Sequence, residues 1–127
     1  MQTRKAVRTE GAPLPIGPYE QAVIAGPFVF LSGQVGIDPS AGKMAAGGVS
    51  EQTTRALENI KAVLEAAGSS LSRVVRAGVY LADMSDFSAM NEVYAKYFGD
   101  AKPARTTIAV KGLPAGALVE IDAVALL

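Results

Sequence analysis

The chain has no cysteine, no histidine and no tryptophan. Without cysteine there is no disulfide framework, no thiol nucleophile and no thiolate metal site. Without histidine, Ser-His-Asp catalysis, imidazole-metal sites and a switch near pH 6 are all excluded. Charge of one sign is also lacking. Twelve basic and twelve acidic residues cancel, so no basic field draws in a phosphate backbone, and nucleic acid is a poor partner. No apolar run approaches the roughly 18 residues of a membrane span. No secretory-type apolar segment follows Arg4, Lys5 and Arg8. Neither Asn59 nor Asn91 opens a glycosylation sequon. A soluble, cytoplasmic protein is the expectation. Any chemistry must run on Arg, Lys, Asp, Glu, Tyr, Ser, Thr, backbone groups and water.

What is present is small and apolar. Half of the 127 residues are hydrophobic, with 22 alanines and 13 valines against eight aromatics. That length suits one domain spanning residues 1–127. Three prolines and two glycines between positions 11 and 18 mark a loop. Residues 19–24 and 28–32 read as strands joined by the turn Ala25-Gly26-Pro27. Residues 38–48 read as a second loop. Ser50 then caps a helix running to about Ala67, with Ala56, Leu57, Ile60, Val63, Leu64 and Ala67 on its apolar stripe. Gln52, Arg55, Asn59 and Glu65 fall mostly on the wet side, and Gly68 ends the helix.

Alternation predicts a strand over 74–82. Ser85 caps a second helix to Phe98, with Phe87, Met90, Tyr94, Tyr97 and Phe98 on one face. Strands follow at 105–110 and 118–126 around a turn at Pro114, and a short N-terminal strand is expected over 5–9. The order ββ-α-β-α-ββ predicts an α+β domain, a single mixed β-sheet with two helices on one face. Its other face is not written as a wet one. Phe28 and Phe30 alternate with Val29 and Leu31, so both faces of that strand are apolar. A second apolar face with no helices left to cover it predicts a homo-oligomer.

The chemistry-bearing residues are polar ones set in apolar strands. Gly42-Lys43 does not complete a phosphate loop, because Ile37 stands where the first glycine belongs and Met44 replaces Ser/Thr. Arg105 opens one strand and shares a face with Thr107. Glu120 and Asp122 sit in the otherwise apolar terminal strand, where burial is costly unless they are paired or bind a ligand. An exposed cross-strand ion pair between Arg105 and Glu120 is the plain alternative. A hairpin centred near Pro114-Ala115 would pair Glu120 with Ala109 and Arg105 with Val124, about 13 Å apart at ~3.3 Å per residue. Each would then need another partner, and an adjacent subunit is one candidate.

A set of segments occurs in a telling order: Ile16-Gly17-Pro18-Tyr19, Ser32-Gly33-Gln34, Asn59-Ile60-Lys61 with Glu65-Ala66-Ala67-Gly68, Asp86-Phe87 with Asn91, Pro103-Ala104-Arg105 and Val119-Glu120-Ile121. In these the chain resembles the Rid family of reactive-intermediate deaminases, also called the YjgF family. The resemblance implies a chorismate-mutase-like fold, a homotrimer with clefts between subunits, and hydrolysis of enamines and imines such as 2-aminoacrylate to 2-oxo acids and ammonia. It implies that Arg105 and Glu120 are catalytic, Arg105 as carboxylate anchor and Glu120 as water-positioning group. It also implies that Tyr19, Ser32, Gly33 and Asn91 line the cleft. Thr107, on the face of Arg105, replaces a cysteine common in bacterial members and is expected to point at the ligand. No metal or cofactor is implied. Two other readings stay open, a non-catalytic binder of small carboxylates and an endoribonuclease or translation inhibitor.

Overall fold

A computed structural model describes residues 3–127. In chain order the elements are β1 (Arg4–Val7), β2 (Ala22–Ala25), β3 (Phe28–Val35), β4 (Ile37–Asp38), β5 (Lys43–Met44), α1 (Val49–Ala66), β6 (Val74–Leu81), α2 (Phe87–Phe98), β7 (Ala104–Ala109) and β8 (Val119–Leu126). Single 3-10 turns lie at Leu71–Arg73, Met84–Asp86 and Pro114–Gly116. Six strands form one mixed sheet in the order β1-β2-β3-β8-β6-β7, with β6 and β7 parallel and the other pairs antiparallel. The fold is therefore α+β, as the sequence implied. The expected loop at 38–48 also holds a small ribbon, β4 against β5.

The stripe on α1 packs as its spacing requires. Ala56, Leu57, Ile60, Val63 and Leu64 are fully buried against Val29, Val79, Val119 and Ile121 of the sheet. The helix begins earlier than Ser50. Gly48 occupies the N-cap, and its N–H donates to Glu51 Oε1 at 2.8 Å, which satisfies one orphan donor of the first turn. Gly68, at φ 86°, turns the chain out of the helix.

Two residues placed on the wet side of α1 are in fact buried. Asn59 donates from Nδ2 to the carbonyls of Val35 and Ile37, at 3.2 and 2.9 Å, while its Oδ1 accepts from Arg55. Gln52 accepts the Leu118 N–H at 2.8 Å. Their partners lie far away in sequence, so helical periodicity alone could not place them. In α2, Ser85 is not the cap either. The Asp83 carboxylate accepts the Ser85 N–H and starts the 3-10 turn that leads into the helix. Tyr97, on α2, donates its hydroxyl to Glu58 on α1 at 2.6 Å, and burial together with this bond pushes the phenol up to about 12.

The expected hairpin between the last two strands does not form. β7 pairs only with β6, in parallel, and β8 lies between β3 and β6. Parallel neighbours need a crossover, and α2 supplies it. Arg105 is therefore in register with Ala77, and Ala77 with Ala123 of β8. Ala77 and Ala123 are buried beneath the helices, so Arg105 and Thr107 point to the helix side of the sheet. Glu120 pairs with Tyr80 and alternates with buried Val119 and Ile121. It points to the open side.

That open side carries Phe28, Phe30, Ile108 and Leu126, between 36% and 46% exposed. The Phe28 and Phe30 rings are neighbours, inclined at 54° with centroids 6.2 Å apart. Such a patch on a sheet face marks an interaction surface. Among the described residues, no helix is long and apolar enough to cross a membrane.

Candidate active site

Two half-sites lie on opposite faces of the sheet. The first surrounds Glu120. A cleft of about 210 Å³ is lined by Leu14, Ile16, Tyr19, Gly33, Pro114 and Glu120, among others. Its floor is the irregular stretch of β3. Leu31 pairs with Ala123 and Gln34 with Ile121, so two residues of β3, Ser32 and Gly33, oppose one of β8, Asp122. An internal glycine in a strand commonly marks such a bulge. The glycine leaves room for the Glu120 side chain, because a Cβ on Gly33 would stand 2.8 Å from the Glu120 Cδ and push it aside. Half-burial raises the Glu120 pKa, and the nearby Asp122 carboxylate raises it further. Asp122 itself is held by the Tyr80 hydroxyl, which donates to Oδ2 at 2.9 Å.

Ser32 lies outside that lining, in an adjoining pocket with Tyr19, Glu20 and Phe30. Its Oγ donates to the Glu20 carbonyl at 2.6 Å. Tyr19 sits in a turn before β2 rather than in the strand, its N–H donating to the Gly17 carbonyl at 2.9 Å. The loop at 9–13 is fixed by Gln21, which the sequence reading passed over. Gln21 is buried, accepts the Thr9 N–H at 2.7 Å and donates to the carbonyls of Thr9, Ala12 and Pro13. A glutamine just ahead of an apolar strand was the available signal. Across the cleft, Ala115 adopts a left-handed backbone, φ 56°, next to Gly116 at φ 66°, and this tight turn brings Pro114 and Ala115 to the rim.

The second half-site surrounds Arg105, at the β7 edge of the sheet. Asn91, Tyr94, Phe98, Lys102 and Pro103 join it around a pocket of about 310 Å³. Arg105 NH1 donates to Asn91 Oδ1 at 2.8 Å. Asn91 is thus a support for the arginine. The guanidinium carbon lies 4.5 Å from the Tyr94 ring centroid and 5.6 Å from that of Phe87. One N–H is engaged by Asn91, and a guanidinium has four more for a carboxylate.

Thr107 lies half-buried on β7, two residues from Arg105. It shares the face of Arg105, and its hydroxyl is buried without a hydrogen-bond partner among the described residues. An unpaired buried hydroxyl costs stability, and removing it leaves nothing unsatisfied. The near-isosteric Thr107→Val is therefore expected to stabilise the protein by about 1 kcal/mol. Urea unfolding would show this as a higher midpoint at unchanged slope. A lower midpoint would mean that the hydroxyl is bonded.

Arg105 and Glu120 cannot meet within one chain. They are two strands and three residues apart, roughly 14 Å between Cα atoms by ideal sheet spacings, and they point to opposite faces. This also rules out the simple cross-strand ion pair.

The family model described as endoribonuclease L-PSP matches residues 9–127. The chain belongs to this family, the Rid or YjgF family. It is 54% identical over 122 residues to a RutC family protein of Pyrococcus horikoshii, covering 96% of this chain and 97% of that protein. It is 48% identical over 122 residues to the 2-iminobutanoate/2-iminopropanoate deaminase of Bos taurus, covering 96% and 89%. Among solved structures, Escherichia coli TdcF with bound serine superposes with a TM-score of 0.92 at 38% identity, covering 97% of this chain and 98% of that one. The Rid fold here thus resembles proteins named as imine deaminases and one that holds a small amino acid.

Proposed function

We propose that this Rid protein hydrolyses reactive 2-imino and 2-enamino acids to 2-oxo acids and ammonia, as a cytoplasmic homotrimer. The observation that carries the reading is the split site. An oriented guanidinium with free donors and a half-buried carboxyl of raised pKa lie on opposite sheet faces, so they can act together only across a subunit boundary. The uncovered aromatic face of β3 is a surface on which subunits can pack. The deaminase name of the bovine relative and the serine bound to TdcF support the same substrate class.

The chemistry follows from the groups present. The Arg105 fork binds the substrate carboxylate. Glu120 of the neighbouring subunit orients a water and takes its proton as oxygen bonds to the imine carbon. The nitrogen gains a proton, the C–N bond of the tetrahedral adduct breaks, and ammonia leaves as the carbonyl forms. Tyr19, Ser32 and Gly33 shape the Glu120 side, and Asn91 steadies Arg105. Because Glu120 must be ionised to accept a proton, its raised pKa sets the acid limit. The value of kcat/KM is expected to fall in acid with a midpoint above the ordinary 4.5 of a glutamate, and Glu120→Gln should lose that limb along with most activity.

The deciding assay couples the protein to a pyridoxal-phosphate dehydratase and times ammonia release. Faster release supports hydrolysis; no acceleration on any imine in a side-chain panel overturns it. A carboxylate binder without chemistry, the reading favoured by the serine-bound relative, would bind such acids with no gain in rate. Ribonuclease action is not proposed, since the chain offers neither a histidine nor a net positive charge.

A further inference from the structure

The proposed function gives Arg105 its task but leaves open what aims it. Arginine has a long, rotamer-rich side chain, and a fork that wanders binds a carboxylate poorly. Its surroundings come from one face of α2. Phe87, Asn91 and Tyr94 stand at i, i+4 and i+7, so they project from one stripe of the helix. All three reach Arg105: Asn91 by a 2.8 Å hydrogen bond, Tyr94 and Phe87 by their rings at 4.5 and 5.6 Å.

Tyr94 is the member whose chemistry remains unexplained by packing alone. It is 7% exposed, and its ring stacks on Phe98 with centroids 4.5 Å apart. Its hydroxyl is buried without a hydrogen bond of regular geometry; burial raises the phenol pKa, and the nearby Arg105 guanidinium opposes that rise. A phenylalanine would fill this core position without leaving a polar atom unpaired. The ring carries a negative face, and a guanidinium lying over it is held in plane while its N–H edge stays free.

We propose that Tyr94 is a positioning residue of the site, the aromatic floor that orients the Arg105 fork toward a substrate carboxylate. Asn91 fixes the rotation of the guanidinium within its plane, and the Tyr94 ring fixes the plane itself. Phe87 closes the more distant side. The inference rests on the reading of Arg105 as a carboxylate anchor. It assigns the effect to the ring, not the hydroxyl.

The test uses intact Tyr94→Leu and Tyr94→Phe proteins, with Arg105→Ala as reference and two probes, 2-oxobutanoate and its neutral amide. Calorimetry reads affinity, and imine kinetics read kcat and KM. Tyr94→Leu should weaken 2-oxobutanoate by roughly 5- to 30-fold, the range of a desolvated cation–π contact. It should leave the amide within about twofold and raise KM more than it lowers kcat. Tyr94→Phe should bind both probes like the parent, even if its stability changes.

A merely structural role would move both probes together. Equal losses for acid and amide in Tyr94→Leu, or no loss for either, would overturn the proposal. So would a loss in Tyr94→Phe as large as in Tyr94→Leu. If Arg105→Ala itself binds 2-oxobutanoate like the parent, the anchor assignment fails first and the floor falls with it. A normal Tyr94→Leu beside a disabled Arg105→Ala removes only the floor.

Discussion

Arg105→Ala is expected to lose imine hydrolysis by roughly 30- to 1000-fold, and Arg105→Lys is expected not to restore it. The magnitude is that of a charge-assisted bidentate contact, about 2–4 kcal/mol. Lysine keeps the charge but has no planar fork. It also cannot lie flat between Tyr94 and Phe87 while bonding to Asn91 as the guanidinium does. The half-buried arginine sits at the sheet edge rather than in the core, so the fold should survive its removal. Steady-state rates on the imines of alanine and 2-aminobutyrate, with circular dichroism as a control, measure both parts. Near-parental rates for Arg105→Ala on every small imine would show that the carboxylate is held elsewhere.

Mixing two dead proteins should regenerate a live one. Arg105→Ala and Glu120→Ala each remove one half-site, and the halves lie on opposite faces of the sheet. In a mixed trimer, a cleft that takes Arg105 from one mutant and Glu120 from the other is intact. After subunit exchange, confirmed with two affinity tags, a substantial fraction of parental activity should return. Sedimentation of the parent should give three times 13.1 kDa. Confirmed mixed oligomers that stay inactive, from mutants that fold normally, would place both residues in one chain's cleft. A monomer at micromolar concentration would remove the shared cleft outright.

Much of this architecture is legible from local pattern. The 3.6-residue stripe of α1, the alternation in β6 and the glycine after α1 each have a short-range cause, and each appears where the pattern puts it. Asn59 and Gln52 were misplaced because their partners, the carbonyls of Val35 and Ile37 and the N–H of Leu118, are 22 to 66 residues away. Tyr94 and Phe87 read as core because aromatic residues on a helical stripe usually are. Only the approach of Arg105, from a strand beyond the helix, gives their rings a second use.

By itself, the sequence determined which chemistry is open to this protein and which family it belongs to. Missing cysteine and histidine, balanced charge and an arginine and a glutamate set in apolar strands are properties of composition and local order. The tertiary structure alone decided that those two residues face opposite ways. The sequence is compatible with a β7–β8 hairpin, yet β8 lies between β3 and β6, and β7 joins the far edge through α2. Strand order depends on which apolar faces bury best across the whole chain, a long-range balance that two-residue alternation cannot express. From that order, and not from the spacing of Arg105 and Glu120, it follows that one chain holds only half of the proposed site on each face.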